Sequence, residues 1–333
     1  MLKWVVLFLI IQNVWLSLLG QVKVDSTYIA DFDLPYVARV SLERTGAGLE
    51  ISPDHTLVPP TASFPFNTGT NLALYLSYKF INLSISPSLN RKTNNRSLVI
   101  SLNTYNGASN VGGKIGFYNN VASIQDKKTL NVRTAINLFK LSPYWLLNTN
   151  YKKFSLAAIT DYSQRQRRSA GAFMFEFNPN LLRAKGRNRY IIPSDASYEP
   201  RFEDMTGLYN VTIVNLDFRP GYVYTKVFEE GSYFVSGGLF LGPGFGYHHA
   251  RAAASTVSGM HWQSSVRMFG SAGYSGDRYF VSGSFRYTNS FTPISSVGIL
   301  ADEGSFMLTL GLRFDAFEDT LPDTWNDLIR KRK

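Results

Sequence analysis

The stretch Gly304–Phe314 constrains the fold more than any other. Phe306, Leu308, Leu310, Leu312 and Phe314 alternate with Ser305, Met307, Thr309, Gly311 and Arg313. In Arg278–Thr288, Tyr279, Val281, Gly283, Phe285 and Tyr287 share one side. Arg278, Ser282, Ser284, Arg286 and Thr288 share the other, with Phe280 as the exception. A period of two puts the two sets on opposite faces of a strand. Each segment is about 11 residues long, the length a tilted strand needs to cross a bilayer.

The same pattern recurs along the chain. It predicts strands at Tyr36–Ser52, Thr70–Lys79, Ile81–Pro87, Arg96–Thr104, Gly112–Asn119, Lys153–Ser163, Ser169–Phe177, Val211–Phe228, Ser232–Gly242, His261–Ala272, Arg278–Thr288 and Gly304–Phe314. The fold class that follows is all-β, an antiparallel transmembrane barrel of the outer-membrane type with about 12 strands. Gly46 and Gly48 mark a bulge or a break in the first segment, and Pro220 requires a bulge or an edge in the eighth. Short links fall at Phe80, Tyr105–Val111, Gln164–Arg168, Glu229–Gly231 and Gly273–Asp277. Longer ones fall at Pro53–Gly69, Ser88–Asn95, Asn120–Lys152, Asn178–Asn210, Pro243–Met260 and Asn289–Glu303. The two kinds alternate, as periplasmic turns and outer loops do. Both chain ends then lie on the short-turn side. Alternation sends Arg39, Lys114, Asp161, Glu176, Lys226, Arg267, Arg286 and Arg313 toward the lumen, where they pair and fill it or line a pore.

The N-terminus reads differently. Lys3, the apolar run Trp4–Ile11, the polar break Gln12-Asn13, the run Val14–Leu19 and Gly20 describe a secretory signal cleaved after Gly20. A retained anchor is the alternative, but about 16 apolar-dominated residues are short for a span. The resulting organisation is a signal peptide at 1–20, a periplasmic segment at 21–35, a barrel at 36–314 and a basic tail at 315–333. The tail reads as a short helix with Trp325, Leu328 and Ile329 on one face, or as disorder. The absence of cysteine excludes a lipid-modified N-terminus, disulfides and thiolate metal sites. Aromatic residues are 14% of the chain, which suits strands whose outer face carries aromatic belts. The formal charge is +10. A secretory signal argues against nucleic acid as the partner. Outer-membrane lipid or lipopolysaccharide is the expected counter-charge, with solubility charge in loops as the plain alternative.

Two basic clusters and three histidines are the candidates for chemistry. Arg165, Arg167 and Arg168 crowd the Gln164–Ser169 turn, and guanidinium groups match phosphate and carboxylate geometry. Loop alternation places them toward the periplasm, facing peptidoglycan, a phospholipid or an envelope protein partner, unless they form only a solvated turn. Arg183, Lys185, Arg187 and Arg189 recur at spacing two and make one cationic edge if that segment is extended. They would lie outside, against lipopolysaccharide. His248, His249 and His261 are weak catalytic candidates, with Ser255 or Ser258 and with Asp302 or Glu303 as the acid. No Gly-x-Ser-x-Gly elbow supports them. His248 and His249 make a poor metal pair because adjacent strand residues point apart. Gly242, Gly244 and Gly246 precede no helix, so they are not a dinucleotide loop and are read as a bend at the rim. No cofactor and no metal is predicted.

The central text adds a resemblance. An aromatic run ending in Asn (Tyr144–Asn148) is followed by Phe154-Ser155, by Gln164-Arg-Gln166-Arg-Arg168 and by Ser169-Ala-Gly171. Earlier, Tyr75-Leu-Ser-Tyr78 precedes Leu83-Ser84. Together these resemble a Bacteroidota family designated domain of unknown function 4421, over Asp25–Phe314. The resemblance implies an exported, barrel-like protein and carries no activity onto any residue.

Three functional readings follow. The leading one is a non-enzymatic outer-membrane barrel with a structural or binding role, or narrow transport. The second is a barrel enzyme acting on lipid or lipopolysaccharide. The third is a soluble periplasmic all-β lipid-binding protein, which requires the apolar strand faces to turn inward.

Overall fold

A computed structural model describes residues 23–53, 62–79, 81–89, 96–122, 135–187, 190–192, 202, 205–294 and 297–315. The proposed signal, the basic tail and Arg189 lie outside the described residues. In chain order the strands are β1 (Ile29–Asp31), β2 (Tyr36–Pro53), β3 (Ala62–Tyr78), β4 (Ile81–Pro87), β5 (Arg96–Tyr105), β6 (Ser109–Ala122) and β7 (Ala135–Asn148). A single helical turn, α1 (Ala157–Thr160), and β8 (Gln164–Gln166) come next. They are followed by β9 (Ala170–Gly186), β10 (Asn210–Phe228), β11 (Tyr233–Arg251), β12 (Thr256–Ser275), β13 (Tyr279–Ile294) and β14 (Val297–Phe314). Twelve of these close into one antiparallel barrel, with β14 returning to β2 from Tyr36↔Phe314 to Pro53↔Val297. β1 and β8 pair only with each other. Residues 23–35 and Asp315 lie at one end, called inner below. The opposite end is called outer.

The period-two pattern is resolved with its apolar set outward. Leu74, Leu76, Phe173, Phe175, Leu216, Leu239, Leu241, Phe285, Leu308 and Leu310 are all exposed. A soluble monomer rarely leaves so continuous an apolar surface in water. Aromatic residues collect at its borders. Tyr36 meets Tyr78 at 4.8 Å and Phe314 at 5.4 Å at the inner end, and Tyr233 meets Tyr274 at 5.2 Å. Phe245 meets Trp262 at 5.3 Å nearer the outer end. At about 3.3 Å per residue and a tilt of about 40°, the rise from Tyr233 to Phe245 is about 30 Å, one hydrocarbon thickness. This orientation is opposite to the one a soluble lipid carrier needs.

The interior has three tiers. At the outer end Leu49, Ile51, Phe64, Phe66, Ile136 and Ile213 pack with Ile191, Ile192, Phe202, Met205 and Leu208 from the β9–β10 connection. At the inner end Val37, Met174, Val223, Phe240 and Phe280 pack with Phe154, Leu156, Ile159 and Tyr162 from the β7–β9 connection. Polar and charged side chains fill the space between.

Several expectations need correction. Lys153–Ser163 is not a wall strand. Ser155 Oγ accepts the Ala158 N–H at 3.1 Å at the entry to α1, and Phe154, Leu156 and Ile159 are buried in the inner cluster rather than set in the wall. The twelfth wall strand is β7, from within the segment read as the Asn120–Lys152 loop. It was hidden because apolar side chains occupy both faces: Ile136 and Leu138 point inward, Phe139 and Trp145 outward. Pro143 also interrupts its ladder with β9, where the Asn178 side chain donates to the Pro143 carbonyl at 2.6 Å. The outer loops are shorter than expected, because β11, β12, β13 and β14 run on past the apolar belt. β12 starts at Thr256 and β14 at Val297. Asn178–Gly186 continues β9 rather than opening a loop. Gln164–Arg168 is no hairpin turn, since β8 is paired with β1. Lys226 faces outward, beside Phe228 at 6.0 Å, while its neighbour Thr225 is the lumenal residue. The Pro220 position keeps the β10–β11 register unbroken, and the bulge near Gly46 is observed between Thr45 and Ala47.

Candidate functional site

The most organised polar cluster lies in the outer half of the lumen, across β10, β11 and β12. Its floor is β11, which presents Gly242, Gly244 and Gly246 inward. A Cβ on Gly244 would collide with Asp217 Oδ1 and lie 2.7 Å from Gln263 Cγ. One on Gly246 would collide with Asn215 Oδ1 and lie 2.6 Å from His261 Nε2. The glycines therefore serve close approach between neighbouring strands. They remove the side chains that would separate β10 from β12, so Asn215 and Asp217 reach His261 and Gln263 across the middle strand.

The donors in this trough run in one direction. Gln263 donates through Nε2 to Asp217, and Asn180 Nδ2 donates to the other Asp217 oxygen at 3.1 Å. Asn215 Nδ2 donates to Gln263 Oε1 at 2.6 Å, where Thr292 Oγ1 also donates at 2.8 Å. With its amide nitrogen so engaged, Asn215 offers Oδ1 to His261 Nε2 at 2.8 Å. That nitrogen must carry the proton, which leaves the lone pair on Nδ1. His261 Nδ1 lies 3.2 Å from His248 Nδ1. Buried polar groups in such a chain reinforce one another while all are satisfied.

Elsewhere in the lumen the charges pair. Glu176 Oε1 accepts from Arg219 at 2.8 Å and Arg267 at 2.9 Å, and Glu303 accepts from Lys140 at 2.9 Å and Lys114 at 3.4 Å. Arg39, Lys114, Glu176, Arg267, Arg286 and Arg313 are lumenal by strand alternation. Asp161 is buried too, but on the inward connection.

The inner plug is held by arginines. Fully buried Arg313 donates to the Tyr162 carbonyl at 2.9 Å, the Gly276 carbonyl at 2.6 Å and Ser275 Oγ at 2.9 Å, with its guanidinium 3.5 Å above the Phe32 ring. Arg39 donates to the Thr160 carbonyl at 2.6 Å. Arg165 pairs with Asp277 at 2.9 Å and donates to the Ser275 carbonyl at 2.9 Å. Gln166 accepts the Ser155 N–H at 2.9 Å and donates to the Lys153 and Arg168 carbonyls at 2.6 and 2.9 Å. Asn148 donates to the Phe154 carbonyl at 2.9 Å. Ser155 Oγ donates to Gln164 Oε1 at 2.6 Å, so Asn148, Ser155, Gln164 and Gln166, which carried the resemblance, are among the residues that tie the plug. Gly231 passes so close to the Gln166 carbonyl that no side chain fits there. Burial pushes the Asp161 carboxyl up to about 6, against the opposing pull of Arg39 and of hydrogen bonds from Ser163.

The candidate residues are therefore scattered. His248 and His261 come together in the lumen. His249 faces outward with Ser258, Nδ1 to Oγ 2.6 Å, and accepts from Arg251 Nε at 3.0 Å on Nε2. Since Nε2 accepts, Nδ1 carries the proton and donates to Ser258, so His249 is not poised to activate that hydroxyl. Glu303 is engaged by lysines rather than by a histidine. Arg165 is committed to the plug, whereas Arg167 and Arg168 are exposed at the inner end. Arg183, Lys185 and Arg187 stand exposed on the outward face of β9 and just past its end, beyond Phe173, Phe175 and Phe177. The trough was not predicted. Its signal was three period-two strings on consecutive strands, Asn215-Leu-Asp217, Gly242-x-Gly244-x-Gly246 and His261-Trp-Gln263.

Among solved structures, the chain is similar to the outer membrane protease OmpT of Escherichia coli at 10% identity and a TM-score of 0.38, covering 85% of this chain and 98% of that one. It is also similar to the Pseudomonas putida toluene transporter TodX at 7% identity and a TM-score of 0.31, covering 89% and 99%. Likenesses this distant carry no argument about activity. No curated protein matches the chain. The family described as "Domain of unknown function (DUF4421)" matches residues 23–314. The match spans the plug and all twelve wall strands, and the chain belongs to that family.

Proposed function

We propose that this protein is an outer-membrane barrel with a sealed lumen, acting as a structural or glycolipid-binding element of the outer leaflet. The observation that carries this reading is apolar packing across the lumen at both ends, from the β9–β10 connection outside and the β7–β9 connection inside. An open diffusion pore needs a continuous polar path, and those two clusters interrupt it. The outward belt and its aromatic borders support a membrane setting. Just past the outer border, Arg183, Lys185 and Arg187 stand on one side of Asn210, and Arg251 and His249 on the other, through the pairs Asn210↔Lys185 and Asn210↔Arg251. Phosphates and carboxylates of lipopolysaccharide would meet this row through charge-assisted contacts. Single exposed pairs contribute little, so the row must act together. At the inner end, exposed Arg167 and Arg168 are the face for an anionic envelope component.

Two measurements test the reading. Reconstituted protein should give no steady conductance in planar bilayers, and a stable open channel would overturn the sealed lumen. Changing Arg183, Lys185, Arg187 and Arg251 together to Gln should lower glycolipid co-purification and flatten its salt dependence. Unchanged retention across salt concentrations would remove the glycolipid role while leaving the sealed barrel intact.

A further inference from the structure

We propose that His248 and His261 form a binding site for a divalent first-row transition metal ion of the zinc and copper kind, inside the lumen beneath the outer apolar cap. Two imidazole nitrogens bound to one tetrahedral metal at about 2.05 Å stand about 3.3 Å apart. The two Nδ1 atoms here are 3.2 Å apart. Both side chains are buried, at 5% and 6% exposure, so their separation is held by the wall rather than found by chance in solvent.

The surroundings prepare the ligands. A metal-binding histidine usually gives its second N–H to an oxygen acceptor, which fixes the tautomer and orients the ring. His261 does this through Nε2 to Asn215 Oδ1 at 2.8 Å. Asn215 is fixed in turn by Gln263, and Gln263 by the Asp217 carboxylate. The chain of dipoles ends on a negative charge and raises the electron density at His261 Nδ1. His248 needs only to move its proton from Nδ1 to Nε2, with no net release. Its Nε2 faces Gly259, where a Cβ would lie 3.5 Å away, so a proton there meets no side chain across the strand.

The donor set also selects the ion. Among the described residues no group of three or more His, Cys, Asp or Glu could hold a metal. Two neutral imidazoles without a carboxylate suit zinc, copper or nickel and not calcium or magnesium. The remaining coordination positions fall to water or to a small ligand. His249 faces outward and cannot join.

The test uses the full chain without a polyhistidine tag, refolded in detergent with and without Zn²⁺ or Cu²⁺. The expected result is one ion per chain, with two nitrogen ligands seen in the Cu²⁺ electron paramagnetic resonance spectrum. His248→Ala and His261→Ala should each weaken binding at least about tenfold, and Asn215→Ala about 10–100-fold through loss of ring positioning. His249→Ala and His55→Ala should leave it unchanged. Gel mobility of the unheated protein reports folding of each variant, and His248→Asn or His261→Asn replaces any alanine variant that fails to fold. Absence of a stoichiometric ion even after refolding with metal would overturn the site. So would equal loss of binding in His249→Ala or His55→Ala.

Discussion

The outward face of β11 offers a depth series within one strand. Val235 and Leu239 are about equally exposed, at 52% and 48%, and both point away from the lumen. A strand tilted by about 40° climbs about 2.5 Å per residue. From the aromatic border at Tyr233, Val235 therefore lies about 5 Å up and Leu239 about 15 Å up, close to the bilayer midplane. An arginine costs about 2–4 kcal/mol at the midplane of such a barrel and about 0–1 kcal/mol near the interface. Leu239→Arg should accordingly destabilise the folded protein by about 2–4 kcal/mol in lipid, and Val235→Arg by less than about 1 kcal/mol.

Equilibrium unfolding by guanidinium in lipid vesicles reads both values against the parent protein. The comparison is sharp because a protein folded in water makes the opposite statement. Two exposed positions on a solvated strand would each change stability by about 0.5 kcal/mol or less. Equal small effects at both positions would refute the lipid-facing assignment. A larger cost at Val235 than at Leu239 would refute the placement of the aromatic border.

The interior yields three further expectations. Asp161 holds its proton more tightly in the fold than in the unfolded chain, so stability should fall as pH rises from about 4 to about 6 and then level off. Asp161→Asn should remove that slope and gain up to about 3 kcal/mol at pH 7, as measured by denaturant unfolding across pH. Arg313→Lys keeps the charge but not the fork that reaches Tyr162, Gly276 and Ser275. It should cost about 2–4 kcal/mol and expose the 149–169 connection to trypsin, and unchanged proteolysis would mean that Arg313 does not hold the plug. Gly244→Ala drives a methyl group into Asp217 and Gln263 and should cost about 1–3 kcal/mol by thermal unfolding, whereas a neutral effect would mean the trough relaxes freely.

What the sequence disclosed depended on where each residue's partner lay. Leu308, Leu310 and Phe285 announce themselves because lipid demands the same character at every second position, a rule that needs no knowledge of neighbours. The wall strand at 135–148 escaped that rule. Its inward side chains Ile136 and Leu138 meet an apolar cap supplied by Ile191, Ile192, Phe202, Met205 and Leu208, so both its faces are apolar there and the alternation vanishes. Phe154 and Leu156 obeyed the rule by accident, since they serve a plug and not a wall. Arg165 looked free because its partner, Asp277, is 112 residues away in sequence. The cationic set at 183–187 was legible as an edge, because extension alone aligns residues two apart.

The three glycines of β11 show the same limit from the other side. A glycine string in a strand weakens it in isolation, since it loses entropy and packs nothing. Its value lies in what two other strands place above it. Asn215 and Asp217 come from the strand before, His261 and Gln263 from the strand after, and each pair is short enough to meet the other only where the middle strand lacks Cβ. Asn215, Asp217, His261 and Gln263 are all buried, so each broken hydrogen bond in the trough would leave a buried polar atom unsatisfied. The trough is thus specified by three strands jointly, and its chemistry resides in the one feature that a strand-by-strand inspection treats as a defect.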